Sequence, residues 1–189
     1  MRISVKELRD YPIFLKPFFW SQKKRYGKVL VPGLLWGRVP KLFAAVAVLY
    51  GVLIRKKSPI SPVIRSIVTV RVSQINWCRF CVDINSSTLA KLTNSMDKVE
   101  NLEKWRESAL FDDKERTVLE YTEAVTYSDK EVTDEMIADL KKYFDEDGIV
   151  ELTGLIAFQN LSSKFNSALD VAPQGFCKLP VENITHETR

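Results

Sequence analysis

Cys78 and Cys81 stand in a Cys-x-x-Cys arrangement, while the chain's single histidine, His186, lies near the C-terminus. Two cysteines at this spacing on a first helical turn share one face, and the spacing permits a disulfide between them. Free backbone N–H groups at a helix start stabilise a thiolate, which favours ionisation of the N-terminal cysteine of the pair. The pattern alone admits three readings: thiol–disulfide redox chemistry, half of a metal site, or two unrelated cysteines. A structural zinc site takes four ligands, yet there is no second Cys-x-x-Cys and no histidine nearby; Cys177 offers a third ligand and nothing obvious a fourth. Iron–sulfur ligation meets the same shortage. No βαβ pattern flanks the pair, which argues against a thioredoxin-type fold. Redox chemistry in a helical setting remains, with no metal and no cofactor expected.

The elements that must position the pair carry helical signals. Residues 1–40, interrupted by Pro12, Pro17, Pro32 and Pro40, predict a short helix and a loop wrapping a core. Pro40 sits where a first-turn proline belongs, opening an apolar helix to about Ile54. Leu42 to Ile54 is the most hydrophobic stretch, well short of the roughly 20 residues of a membrane span, so a buried helix is expected. Its Ala44, Ala45, Ala47 and Gly51 also suit close helix or subunit packing. Ser61-Pro62 reads as an N-cap and first-turn proline, so Val63 to Ile75 predicts helix although its valines and isoleucines would fit a strand. A further helix runs from Trp77 or Cys78 to about Leu92, and a short charged one from Asp97 to Glu107. Asp112 and Glu115 form a capping-box pattern ahead of Thr117 to Thr126. Thr133 opens a helix to about Phe144, and Asp147-Gly148 precedes a long one from Ile149 to about Leu169. The sum is an all-α fold of about seven or eight helices: a wrapping segment 1–40, a helical domain 41–172 and an extended tail 173–189.

Composition narrows the function. At 189 residues the chain supports one domain with a formed core. A net charge of +4 is mild, and the runs Lys23-Lys24-Arg25 and Arg55-Lys56-Lys57 read as solvated helix ends. Nucleic-acid binding would need a longer basic stripe with interleaved aromatics. Three cysteines make no secreted disulfide framework, and Met1 to Asp10 has no signal-peptide core. The expectation is a cytoplasmic protein with no nucleic-acid or membrane partner.

The residues around the cysteines, Arg71-Val72-Ser73-Gln74-Ile75-Asn76-Trp77-Cys78-Arg79-Phe80-Cys81-Val82-Asp83, resemble the signature of the carboxymuconolactone decarboxylase superfamily. More narrowly they resemble its alkylhydroperoxidase D-like (AhpD-like), peroxidase-related branch. The segments Ile149 to Thr153, Ile156 to Asn160, Lys164 to Asn166 and Gln174 to Cys177 share that resemblance, which spans roughly Tyr11 to Pro180. It implies a helical fold that assembles as a homo-oligomer (dimer, trimer or hexamer). It also implies a disulfide-cycling peroxidase that reduces a hydroperoxide. Cys81 would attack, Cys78 would resolve, and a dithiol or lipoyl-type partner would re-reduce the pair. That assignment conflicts with the helix-terminus argument, which favours Cys78 as the more acidic thiol.

The family's proton relay places a glutamate twelve residues before the first cysteine and a histidine four after the second; this chain has Ser66 and Asn85 there. Asn85, at i+4 from Cys81, should face the thiol and hydrogen-bond to it, but it accepts no proton near neutral pH. General acid–base help is worth about 10²–10⁴-fold, so weak activity is expected unless another group substitutes. Glu151 is a candidate base and otherwise a surface acid near a helix start. Asn160 is a candidate for the pocket wall, Asn166 for packing or a cap. Trp77 and Phe80 flank the cysteines as wall candidates for an organic peroxide, while Tyr121 suits core filling. Arg71 and Arg79 could add positive potential. The alternative function is a non-catalytic redox-sensing or binding oligomer on the same fold.

Overall fold

The computed structural model describes residues 1–177; His186 and the rest of the tail beyond Cys177 lie outside the described residues. Among the described residues there are nine α-helices and no strands, one helix more than expected. They are α1 (Lys16–Tyr26), α2 (Val31–Gly37), α3 (Pro40–Leu53), α4 (Pro62–Ile75), α5 (Arg79–Thr93), α6 (Asp97–Asn101), α7 (Asp113–Thr126), α8 (Asp134–Leu140) and α9 (Glu146–Ala168). The surplus comes from residues 1–40, which form two helices instead of one, with short 3₁₀ turns at Leu8–Asp10 and Ile13–Leu15.

Helix α4 is the axis of the fold and packs against α5, α7 and α9. Ser61 caps it by accepting from the Ile64 N–H at 3.3 Å, and Pro62 occupies its first turn, where no intrahelical donor is needed. Its β-branched residues suit a helix here because both sides are buried. Val68 and Val72 join Val118, Leu152 and Ile156 on one side; Ile67 and Val70 join Leu89, Leu102, Trp105 and Leu119 on the other. Each such fully buried side chain contributes roughly 1.5–3 kcal/mol. The expected capping box is present at α7: Asp112 accepts from the Glu115 N–H at 2.8 Å, and Glu115 accepts from the Asp112 N–H at 3.1 Å.

Several boundaries move. Asp145, not Asp147-Gly148, caps α9, which places that pair inside the first turn. The segment after Asp97 breaks into α6 and a 3₁₀ turn at Leu102–Lys104, and α8 stops at Leu140. The apolar helix α3 is largely exposed within the chain: only Phe43 and Leu53 are buried, whereas Val48 is 70% and Val52 51% exposed. Its apolar character runs around the whole helix, and one chain covers only one side. Among the described residues no helix is long and apolar enough to cross a membrane.

The wrapping role of residues 1–40 is physical. Tyr11, Leu15, Phe19 and Phe43 form their own buried cluster, and the Tyr11 hydroxyl donates to the Leu34 carbonyl at 2.9 Å. Trp36 stacks on Phe165 of α9 with ring centroids 3.6 Å apart. At the other end, Asp83 is fully buried on α5 and accepts from the Gln174, Phe176 and Cys177 N–H groups at 2.7–2.8 Å. The tail from Gln174 to Cys177 is thereby tied to the helix that carries the cysteines.

One buried charge cluster joins α4 to α7. Glu123 accepts from Arg71 Nε at 2.8 Å, Trp105 Nε1 at 2.9 Å and Arg106 at 2.9 Å. Burial alone would raise the Glu123 carboxyl; the Trp105 donor, Arg71 and Arg106 outweigh it and hold the pKa down at about 2, against 4.5 for a free glutamate. A depressed carboxylate stabilises the fold above its unfolded pKa, and that contribution disappears as pH falls through the folded value. The shift corresponds to roughly 3 kcal/mol, lost between about pH 5 and pH 2. Glu123→Gln should therefore lower stability at neutral pH by roughly that amount, and its urea-unfolding free energy should decline less steeply than the wild type's across that acid window.

Candidate functional site: a thiol at the floor of an apolar cavity

The α4–α5 connection is tight. Asn76 ends α4, Trp77 adopts a left-handed backbone with φ of 58°, and Cys78 begins the next helix as its N-cap. A bulky residue in that region costs energy, and the turn is held from both sides. The Trp77 N–H donates to the Gln74 carbonyl and the Cys78 N–H to the Ser73 carbonyl, each at 3.0 Å. Asn76 Nδ2 donates to Asn160 Oδ1 at 2.8 Å and Ser163 Oγ at 3.0 Å on α9. Asn160 is thus a clamp on the turn and lies off the cavity wall. Trp77 is 44% exposed and also lies off the wall.

The two sulfurs differ. Cys78 Sγ accepts from the Cys81 N–H at 3.1 Å, as a helix-capping acceptor would, and Cys78 is 1% exposed. Burial, together with the neighbouring Cys81 thiol, pushes the Cys78 thiol well above the usual cysteine range. At Cys78, then, desolvation opposes the helix end and outweighs it. Cys81 Sγ accepts from Asn166 Nδ2 at 3.3 Å. Asn166, expected to pack or cap, instead reaches the sulfur, because α9 lies alongside the first turn of α5. Its Oδ1 is buried without a hydrogen-bond partner.

Cys81, and not Cys78, lines a cavity of about 690 Å³ between α1, α2, α3, α4, α5 and α9. Phe18, Phe43, Tyr50, Phe80 and Phe158 supply aromatic wall. Ser66 and Asn85 also line it. Asn85 Nδ2 points to Ser73 Oγ at 3.4 Å and the Thr69 carbonyl at 3.5 Å, so it braces α4. Gln159 completes this polar patch by donating to Ser73 Oγ at 2.9 Å. Tyr121 is core, with its hydroxyl on Thr153 at 2.7 Å.

Among the described residues no carboxylate lines the cavity. Glu151 is held by Arg55 at 2.5 Å and by the Ser58 hydroxyl, which removes it as a base for Cys81. Arg71 is consumed by Glu123 and Arg79 pairs with Asp170 at 3.0 Å, so neither adds charge to the cavity wall. The cations on the wall are Arg25 and Arg65. Among the described residues no three His, Cys, Asp or Glu side chains gather as metal ligands would.

The helical fold that carries this site superposes on solved structures of peroxidase-related proteins, a likeness of fold. The chain belongs to the carboxymuconolactone decarboxylase family, whose sequence profile matches residues 40–124. It is 44% identical over 178 residues to the uncharacterized protein YnjA of Escherichia coli (strain K12), covering 94% of this chain and 98% of that one. An uncharacterized peroxidase-related protein from Ralstonia eutropha JMP134, described as an alkylhydroperoxidase AhpD core, superposes with a TM-score of 0.83 at 20% identity over 93% of each chain. The debrominase Bmp8 superposes with a TM-score of 0.81 at 20% identity over 96% of each chain. At such identities the two structures speak to the fold.

The asymmetry of the sulfurs has a direct consequence for labelling. In the reduced protein, iodoacetamide should alkylate Cys81 at least about tenfold faster than Cys78, since reactivity follows thiolate character and access. Peptide mapping by mass spectrometry over a time course reads the order; Cys78 labelling first would contradict the assignment of the accessible sulfur.

Proposed function

We propose that the protein is a thiol peroxidase of low intrinsic rate that reduces organic hydroperoxides with Cys81 as the attacking sulfur and Cys78 as the resolving one. The observation that carries this reading is that, of two buried cysteines, Cys81 lines the apolar cavity and Cys78 does not. The Cys81 thiolate attacks the terminal oxygen of the hydroperoxide, the O–O bond breaks, and the alkoxide leaves as an alcohol after taking a proton from solvent. Sulfur is oxidised to a sulfenic acid. The Cys78 thiol then attacks that sulfur, forming the disulfide and releasing water. An external dithiol restores both thiols by exchange and is itself oxidised to a disulfide.

Asn166 fits both reactants. Its Nδ2 donates to Cys81 Sγ, and its unpartnered Oδ1 is positioned to accept the O–H of the terminal peroxide oxygen beside that sulfur. It orients and moves no proton. With Ser66 and Asn85 at the family's relay positions and no carboxylate on the wall among the described residues, thiolate formation falls to solvent. The redox-sensing alternative asks for no cavity, which is why turnover is favoured over it.

A second reading draws on Bmp8, a cysteine-to-alanine form of which was solved with 2,3,4-tribromopyrrole. An aromatic-walled cavity over a thiol would also suit reductive removal of bromine from a small aromatic ring. The thiolate would take the bromine as a sulfenyl bromide, the ring carbanion would take a proton, and Cys78 would close the disulfide with loss of bromide.

The exposed apolar side of α3, with Val48, Leu49 and Val52, supports a homo-oligomer, and sedimentation of the purified chain tests that.

Peroxide consumption with excess dithiol is expected for the wild type and for neither cysteine variant under steady state. Cys81→Ser should show nothing, and Cys78→Ser a single turnover trapped as a sulfenic acid by dimedone. Equal rates for wild type and Cys81→Ser would eliminate the peroxidase reading, and bromide release from a bromopyrrole under the same conditions would favour the second. Asn166→Ala should slow the reaction about 10–100-fold, the worth of one hydrogen bond to a charged sulfur. Asn85→His, which returns a base to the relay position, should raise the neutral-pH rate by up to about 10²-fold, the low end of general-base assistance.

A further inference from the structure

The cavity is charged in one sense. Among the described residues its wall carries Arg25, in the last turn of α1, and Arg65, in the first turn of α4, and no aspartate or glutamate. Among the described residues neither arginine makes an ion pair. Arg25 lies over the Tyr26 ring at 5.3 Å, and Arg65 donates from one terminal nitrogen to the Ile60 carbonyl at 3.1 Å. Arg65 Nε is buried and has no partner. Elsewhere the chain pairs its inward-reaching cations with acids, as with Arg71 and Lys98. A half-buried guanidinium with an unused donor, facing a cavity without an acid, is a site for an anion.

The two cations line the same cavity as Tyr50. Burial and Tyr26 raise the Tyr50 phenol, while Arg25 and Arg65 both act in the opposite direction. Arg65 is remote from the thiol. Asn85, one turn beyond Cys81, meets α4 at Thr69 and Ser73. Arg65 is eight residues before Ser73, about 12 Å along the axis. The wall also carries the apolar Leu92, Phe158, Leu155 and Ile84, with Ser66 and Thr69 on α4 as small polar residues.

We propose that the substrate is an elongated amphipathic anion: an organic hydroperoxide carrying a carboxylate about 10 Å or more from the peroxide, a spacing taken from the helix rise, with Arg25 and Arg65 binding the carboxylate. The hydroperoxides of long-chain carboxylic acids have this shape, an apolar body with one anionic end. The choice of peroxide rests on the function proposed above; the anionic end and the length rest on the cavity alone. Arg65, half-buried, fixes the head, and Arg25, exposed at the rim, admits it.

The test separates the two. Binding of decanoate and of decanol, neither of which can be reduced, is measured by calorimetry on the Cys81→Ser protein. Decanoate should bind about 10–100-fold more tightly than decanol, the worth of a charged hydrogen-bonded contact, and that preference should shrink with added salt. Arg65→Gln and Arg25→Gln should each erase most of the preference while leaving decanol binding unchanged, which also reports an intact fold. Arg65→Lys, which keeps the charge, should retain part of it. Equal binding of acid and alcohol, or a preference that survives both glutamine variants, overturns the proposal. Selective decanoate binding in a protein that consumes no hydroperoxide would leave this cavity assignment standing and remove the peroxidase reading.

Discussion

The hydrogen bond from the Cys81 N–H to Cys78 Sγ governs the rest of the site. A helix start leaves its first backbone donors without partners, and in most helices a serine, threonine, aspartate or asparagine supplies the cap. Here a thiol does so. That choice commits Cys78 to the buried side of the turn, and it puts Cys81 in the first turn, facing the cavity between α4 and α9. One local contact therefore divides the labour between two chemically identical side chains. The left-handed Trp77 and the Asn76–Asn160 clamp hold the turn in which this happens.

The division also reconciles two arguments that conflict at the level of sequence. A helix N-terminus lowers the pKa of a nearby thiol, and burial raises it. From the Cys-x-x-Cys alone only the first effect is visible, and it points to Cys78. The second needs the neighbours: α9, the N-terminal segment and Val171 close over Cys78, and desolvation becomes the larger effect. In the proposed cycle the Cys78 sulfur attacks the sulfenic sulfur of Cys81, and its proton leaves with the sulfenic oxygen as water.

Helix content, the α4 N-cap, the α7 capping box and the cysteine pair were legible because each depends on residues close in sequence. What was not legible depends on partners far away in sequence. Glu151 looks like a free acid until Arg55, ninety-six positions earlier, is found on it. Asn166 looks like a helix-end residue until α9 is laid beside α5. Arg25 belongs to a basic run that reads as a solvated helix end, and two of its three members are that; the third turns onto the cavity wall. Helix α3 was misjudged for another reason. Apolar composition says that a helix seeks cover, and it does not say whether its own chain provides it. The signal for Arg65 was absent altogether, since a lone arginine in a first helical turn has no pattern around it and runs against the dipole.

Ser66, Asn85 and the two wall arginines belong to one electrostatic arrangement. A carboxylate near Cys81 would serve as a proton acceptor, yet it would also repel an anionic substrate and disfavour a neighbouring thiolate. A cavity walled by neutral amides, a buried serine and two arginines favours negative charge wherever it arises, on the sulfur or on the ligand. Such a site gives up general-base assistance and keeps the stabilisation of the attacking anion through the Asn166 amide. Electrostatic preorganisation is commonly a larger contribution to catalysis than a single proton transfer. Under the proposed function, Ser66 and Asn85 suit a site that receives an anionic substrate.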